Sequence, residues 1–266
     1  MNEYAYLRRP MSQTQILSDV SRYIDKKRHL TLDDMRPEYE GYLRIIRRFG
    51  TLSPATRILE IGTGTGWFPL LCKRDNLQCK GLEISQQLID YARELGANYG
   101  IEPDIELGNI EEVDMGAGIY DAVFANSVFE HVQHWRPALE RVYRALKPGG
   151  IFFFASTNKF SLGSDEYPPL PVYGWLPDQW RYRLRVAVQG PDIMNLGIDF
   201  NQFTYWQLRK AFREAGFSRA WDRIELVEPE RFSGWKRQAV NICKAVPLVK
   251  WPVLLFCDAT TFVCIK

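Results

Sequence analysis

Residues 57–67, Arg-Ile-Leu-Glu-Ile-Gly-Thr-Gly-Thr-Gly-Trp, constrain this chain more than any other stretch. Ile58, Leu59 and Ile61 form a short apolar run of the kind found in a strand buried on both faces. Gly62, Gly64 and Gly66 follow at alternate positions, where the backbone can turn tightly and approach a ligand with no Cβ in the way. Trp67 and the apolar residues after it read as the start of a helix packed back on the sheet. The turn thus sets bare amides and a helix N-terminus beside the Glu60 carboxylate, which repels a phosphate and favours a cationic group. A dinucleotide fingerprint would need its third glycine at Trp67, and a phosphate-binding loop would need Lys and Ser or Thr after Gly66, where Trp67 and Phe68 stand.

Beyond this turn, strand-like and helix-like runs alternate. Strands are predicted at 57–61, 78–83, 105–107, 122–125 and 151–155, and helices at 67–74, 85–99 and 137–146, with Lys147-Pro148-Gly149-Gly150 as a stop and turn. Such alternation implies an α/β fold with a parallel sheet, right-handed crossovers and a ligand at the carboxyl ends of the strands. Residues 1–50 carry apolar residues at helical spacing (Ile16, Leu17, Val20, Tyr23 and Ile24, then Tyr39, Tyr42, Leu43, Ile46 and Phe49) and read as an N-terminal helical cap. Residues 51–266 form the main domain, interrupted by a proline- and aromatic-rich insertion at 159–203 after the fifth strand, of the length expected for a lid or binding loop. A helix at 204–215, a strand at 218–227, a helix at 240–256 and a last strand at 261–265 complete the reading.

Charge and composition narrow the function. The 34 basic and 32 acidic residues nearly cancel, so no global field recruits nucleic acid. Five cysteines form no Cys-x-x-Cys pair and only three histidines exist, a poor basis for a metal site; the thiols suit a reducing, cytoplasmic setting. The apolar run at 251–257 is far short of the roughly 20 residues that span a bilayer.

Glu83 closes the second predicted strand, where nucleoside-binding α/β folds place an acid that accepts both ribose hydroxyls. The stretch from Glu60 to Gly66 resembles motif I of the class I S-adenosylmethionine-dependent methyltransferases, E-x-G-x-G-x-G, at every defined position. Tyr120 to Val132 resembles motif IV and its extension, and Leu146 to Gly150 matches the turn before strand five. Together these motifs cover residues 57 to about 160 and are similar to the ubiquinone and menaquinone methyltransferase-like, small-molecule branch. The resemblance implies a Rossmann-like, doubly wound, mostly parallel seven-stranded sheet with helices on both faces. It also implies that Glu60, Gly62, Thr63, Gly64 and Gly66 cradle the methionine end of the cofactor and that Glu83 and Ile84 hold the ribose. Asn109, in place of the commoner Asp, would hydrogen-bond the adenine amino group beside Ile110; a plain turn is the competing reading. Asn126 and Ser127 would line the methionine side. His131 is the single general-base candidate, although the Glu-His-Val stretch can equally serve to fix the loop.

The expected function is therefore in-line, metal-independent O- or C-methylation of a small-molecule or lipid-like acceptor, converting S-adenosyl-L-methionine to S-adenosyl-L-homocysteine. Tyr167, Tyr173, Trp175, Trp180 and Tyr182 of the insertion form either an aromatic wall for a flat acceptor or the insertion's own small core. Arg181, Arg183 and Arg185 alternate as on an exposed edge. Two other classes stay open. An NAD(P)-dependent oxidoreductase would share the fold and Glu83, and a non-catalytic scaffold would keep the fold without the reaction.

Overall fold

The computed structural model of the chain describes residues 20–163, 173–190 and 199–266. Two helices, α1 (Ser21–Lys27) and α2 (Arg36–Phe49), precede an alternating series: β1 (Arg57–Ile61), α3 (Trp67–Arg74), β2 (Gln78–Glu83), α4 (Gln86–Ala97), β3 (Ile105–Leu107), β4 (Tyr120–Asn126), α5 (Trp135–Ala145) and β5 (Leu146–Thr157). After the insertion, with α6 (Asp178–Gln189), come α7 (Tyr205–Glu214), β6 (Arg219–Asp222), α8 (Arg223–Leu226), α9 (Gly234–Ala245), α10 (Pro247–Phe256) and β7 (Ala259–Ile265). Among the described residues seven strands form one sheet in the order β3-β2-β1-β4-β5-β7-β6, parallel except for β7, which runs antiparallel between β5 and β6. The fold is the α/β class that the β-α alternation implies, in the Rossmann-like, doubly wound, seven-stranded form that the resemblance implies.

The strands are apolar on both sides because both faces are covered. Leu59, Ile61, Val123, Phe152 and Phe154 point to one face, under α5 and α7. Ile58, Phe124, Ile151 and Phe153 point to the other, under α2 and α3. On that second face Tyr42 stacks on Phe124, with ring centroids 4.7 Å apart and planes 21° from parallel. Glu60 lies between Ile58 and the turn on this same face, opposite Phe124 in the register, so the period of two directs its carboxylate toward the α2 side. The order of connection reverses between β1 and β4, and the crevice at their carboxyl ends is where such sheets bind ligands.

Of the residues predicted to cap the fold, Ile16 and Leu17 lie outside the described residues. Val20, Tyr23 and Ile24 pack against Leu88 and Tyr91 of α4, and the Val20 N–H donates to Gln87 Oε1 at 2.8 Å. This lays α1 along the rim of the glycine turn.

Four expectations are corrected. The strand expected at 218–227 ends at Asp222, whose buried carboxylate caps α8 in a capping box with Glu225, so the chain turns into a helix instead. The single helix expected at 240–256 is two helices that meet at an angle of 104°, with Pro247 opening the second. Lys147 to Gly150 belong to β5 rather than to a free turn. Arg181, Arg183 and Arg185 lie on α6, not on an extended edge, and helical spacing turns Arg181 and Arg185 inward. Both are buried against Asp199: Arg181 Nη1 and Arg185 Nη1 lie 2.9 and 3.1 Å from its two oxygens, and Arg181 also pairs with Asp178 at 2.7 Å. Around them Tyr173 and Tyr182 are buried, whereas Trp175 and Trp180 are exposed and Tyr167 lies outside the described residues. Of the two readings of these aromatics, the inner core holds for the two buried tyrosines.

Two buried guanidinium groups sharing one carboxylate make Asp199 costly to remove. Asp199→Ala is expected to lower the unfolding free energy in urea by roughly 3 kcal/mol or more and to expose α6 to proteolysis; an unchanged urea midpoint would contradict this account of α6.

Candidate active site

The three glycines of the turn have different work to do. All have positive φ, between 57° and 74°. A Cβ on Gly62 would stand 2.4 Å from Val128 Cγ2, and one on Gly66 would stand 2.5 Å from Ala92 Cβ, so these two are required by the packing of the protein itself. A Cβ on Gly64 would meet nothing nearer than the Tyr23 hydroxyl, at 3.8 Å. Gly64 therefore faces the open crevice, under the rim that α1 supplies.

Two buried carboxylates flank Gly64, and their surroundings differ. Glu83, at the end of β2, accepts the Gly64 N–H at 2.7 Å on one oxygen and the N–H groups of Ile84 and Ser85, at 2.9 and 3.1 Å, on the other. Burial raises its pKa and these three donors pull it back. Glu60 has one hydroxyl donor, Thr63 Oγ1 at 2.5 Å. Burial, with Glu38 and Glu83 adding like charge, pushes Glu60 up to about 8. A group that brings positive charge to Glu60 would supply the compensation that the protein leaves out.

The remaining predicted residues lie along the same edge of the sheet. Asn126 and Ser127 are exposed just past β4, and Ser127 holds a positive φ of 54° while its N–H donates to the Ala155 carbonyl at 2.9 Å. Asn109 Oδ1 accepts the Glu111 N–H at 3.0 Å, which makes the turn and still leaves the amide NH2 and one lone pair. Ile110 is buried in the core with Leu82, Met115 and Phe129. His131 ends the short 3-10 turn after β4 and is half-buried. Its neighbour Glu130 is fully buried and accepts Ser156 Oγ at 2.6 Å, while Asn201 Nδ2 donates to the carbonyls of Phe129 and Val132. The loop is thus tied down on both sides.

Beside Asn126 opens a cleft of about 720 Å³, within the usual range for a small-molecule site. Tyr42, Ile45, Phe49 and Phe153 line its apolar side, and Arg44 and Arg231 stand among its charged lining residues. Its walls are tied together by Arg48, which donates to the Leu226 and Glu225 carbonyls at 2.6 and 3.2 Å, and by the Arg223–Asp258 ion pair. Burial, with Glu60 and Glu38 nearby, pushes the Tyr42 phenol well above its ordinary value, against an opposing hydrogen bond with Asn126. Tyr42 is a donor here and not a base. His131 is not among the cleft residues. Sequence reasoning missed the whole α2 wall, because Tyr42 and Ile45 look like ordinary apolar positions of an amphipathic helix.

This geometry accords with what known proteins share with the chain. A family model described as a methyltransferase domain matches residues 59–154, the span from β1 to β5. Over this span, and not beyond it, the chain is similar to methyltransferase domains. The match stops within β5, so the insertion and the elements after it lie outside the shared part. Malonyl-[acyl-carrier protein] O-methyltransferase of Serratia marcescens is 27% identical over 113 residues, which cover 42% of this chain and 43% of that protein. A ubiquinone biosynthesis O-methyltransferase of Erwinia tasmaniensis is 29% identical over 106 residues, 40% of this chain and 44% of that one. The matched region thus spans less than half the length of either relative. Among solved structures, phosphoethanolamine N-methyltransferase 2 of Haemonchus contortus, in complex with phosphomonomethylethanolamine and S-adenosylhomocysteine, superposes with a TM-score of 0.55 at 18% identity over 85% of this chain and 52% of that one.

A raised carboxyl binds its proton more tightly in the folded chain than in the unfolded one. Its contribution to stability is full below the unfolded value of 4.5 and is lost as pH rises through about 8. Without ligand, the wild type is expected to lose roughly 2 kcal/mol of stability between about pH 6 and about pH 8 through this group. Thermal melts across that range test it: the Glu60→Gln protein should show a flatter profile, and parallel profiles would refute the assignment.

Proposed function

We propose that the chain is an S-adenosyl-L-methionine-dependent enzyme that methylates oxygen or carbon on a small, apolar or lipid-like acceptor. The observation that carries this reading is Gly64, open to the crevice between two differently solvated carboxylates and next to a cleft large enough for an acceptor. In this reading Gly62, Thr63 and Gly66 shape the turn, and Gly64 leaves room for the methionine end of the cofactor. Glu60 receives its ammonium, Glu83 and Ile84 hold the ribose, and Asn109 and Ile110 meet the adenine. Asn126 and Ser127 stand between cofactor and acceptor. The residues fit the group: an under-compensated buried acid calls for a cation, and Glu83 keeps a lone pair on the oxygen that Gly64 occupies once.

The bound cofactor supplies an electrophilic methyl group. The protein's part is to bring the acceptor in line, which alone can lower the barrier by ~7 to 11 kcal/mol. Tyr42 and Phe153 shield that approach from water, and the Tyr42 phenol, held neutral, can donate a hydrogen bond to the acceptor. His131, on the loop after Asn126 but outside the cleft lining, is the proposed proton acceptor where the acceptor is a hydroxyl or acidic carbon. The arginines at the cleft suit an acceptor with an anionic group on an apolar body, and the methyltransferase relatives named for ubiquinone and malonyl-acyl-carrier metabolism support that class. The reading also takes residues 1–50 as a cap, 51–266 as the methyltransferase domain with 159–203 as a lid-like insertion, and the cytoplasm as the site of action.

Calorimetric titration with S-adenosylhomocysteine, with NAD as control, tests the cofactor. Binding of the first alone is expected. Glu83→Ala should weaken it by about 1 to 3 kcal/mol, with Glu83→Gln as the milder variant, and Gly64→Trp should abolish it. A folded wild type that binds no S-adenosylhomocysteine would overturn the reading.

A further inference from the structure

The hairpin of α9 and α10, inserted between β6 and β7, is out of keeping with the rest of the molecule. The 12-residue α9 buries no side chain, and the 10-residue α10 buries only Leu254. Isolated helices of this length are marginal in water, so packing of an apolar face normally supports them. Here the apolar faces point outward. Trp235, Ile242 and Val246 recur at helical spacing along α9, and Trp235 is 73% exposed; on α10, Leu248 is 86% exposed and Val253 and Phe256 are exposed as well. The inner side of α10 is anchored instead. Lys250 pairs with the buried Asp222 at 2.7 Å and with Glu225 at 3.2 Å, and Trp251 stacks on Trp206 with centroids 5.3 Å apart. The hairpin is thus held to the domain by one side while its apolar side is presented to the surroundings.

Its charge says what covers that side. From residue 231 to residue 257 there is no Asp or Glu; Lys250 is taken up by Asp222 and Glu225, and Arg231, Lys236, Arg237 and Lys244 remain exposed. A second copy meeting this surface about a two-fold axis would bring the same cations face to face. Apolar side chains flanked by lysine and arginine, with an exposed tryptophan, are the pattern of a helix lying in the boundary layer of an anionic bilayer. Neither helix can cross one: at 1.5 Å per residue they are about 18 and 15 Å long, against a hydrocarbon thickness of about 30 Å. Only together are the two long and apolar enough for a span, and the pair is bent by 104°. Phe232 and Arg231, immediately before α9, also line the 720 Å³ cleft, so the apolar surface runs into the cleft mouth.

We propose that α9 and α10 dock the protein on an anionic lipid bilayer, lying in its surface without spanning it, with the mouth of the cleft at the lipid boundary. Docking does not depend on the methyl-transfer reading and is tested separately from it. The full chain is sedimented with large vesicles of phosphatidylcholine alone and of phosphatidylcholine with phosphatidylglycerol. It is expected to pellet with the anionic vesicles and to be released by high salt. Trp235→Glu combined with Leu248→Glu should lower the bound-to-free ratio by about tenfold or more, as should Lys236→Glu combined with Arg237→Glu. All four positions are exposed, so thermal melts should show both variants folded. The proposal fails if the wild type stays in the supernatant with both vesicle types, or if a folded Trp235→Glu, Leu248→Glu variant pellets as the wild type does. It also fails if the wild type ignores vesicles and forms a concentration-dependent dimer that this variant abolishes, which would assign the surface to a second copy.

Discussion

The hydrogen bond from the Gly64 amide to Glu83 joins the turn after the first strand to the tip of the second. It can form only because the backbone at Gly64 turns with a positive φ and because Glu83 ends its strand one residue beyond Leu82, which itself accepts the Gly62 N–H. That closure draws the turn over β2, presses Gly62 on Val128 and Gly66 on Ala92, and leaves Gly64 as the one of the three with space beside it. The open space at the turn is thus a by-product of packing: two glycines are demanded by neighbours within the protein, and the third is not.

The two acids beside this turn show how one sheet edge makes chemically distinct carboxylates. Glu83 receives three backbone donors, which offset part of the burial that raises its pKa. Glu60, one strand away, has among the described residues one hydroxyl donor, Thr63, and burial raises its carboxyl further. Tyr42 comes from α2, outside the alternating core, and also walls the acceptor cleft. The helix before the sheet therefore brings the Glu38 charge near Glu60 and lines the cleft with Tyr42. A similar economy appears at the far end, where Asp222 caps α8 and anchors α10 through Lys250.

Much of the core and of the cofactor half was legible in the sequence because local rules sufficed there. A strand buried on both faces must be apolar throughout, and the turn after β1 needs glycine where neighbours leave no room for a Cβ. Predicted strands at 57–61, 78–83 and 105–107 coincide with the folded ones. The C-terminal third was less legible. A capping box at Asp222 and Glu225 ends β6 early, and Pro247 starts a new helix rather than continuing one. Arg181 and Arg185 look like surface residues until Asp199, distant in sequence, meets both.

By itself, the sequence determined the α/β class, the parallel core, the glycine turn with its two acids, and the resemblance that these motifs carry, because each rests on spacing or on the backbone freedom of single residues. Only the tertiary structure decided which glycine has open space beside it, why burial raises the Glu60 carboxyl, which helix walls the cleft, and that the apolar faces of α9 and α10 point outward. Those properties depend on contacts between residues far apart in the chain. Burial, like charge and shared ion partners appear only when such residues are brought together.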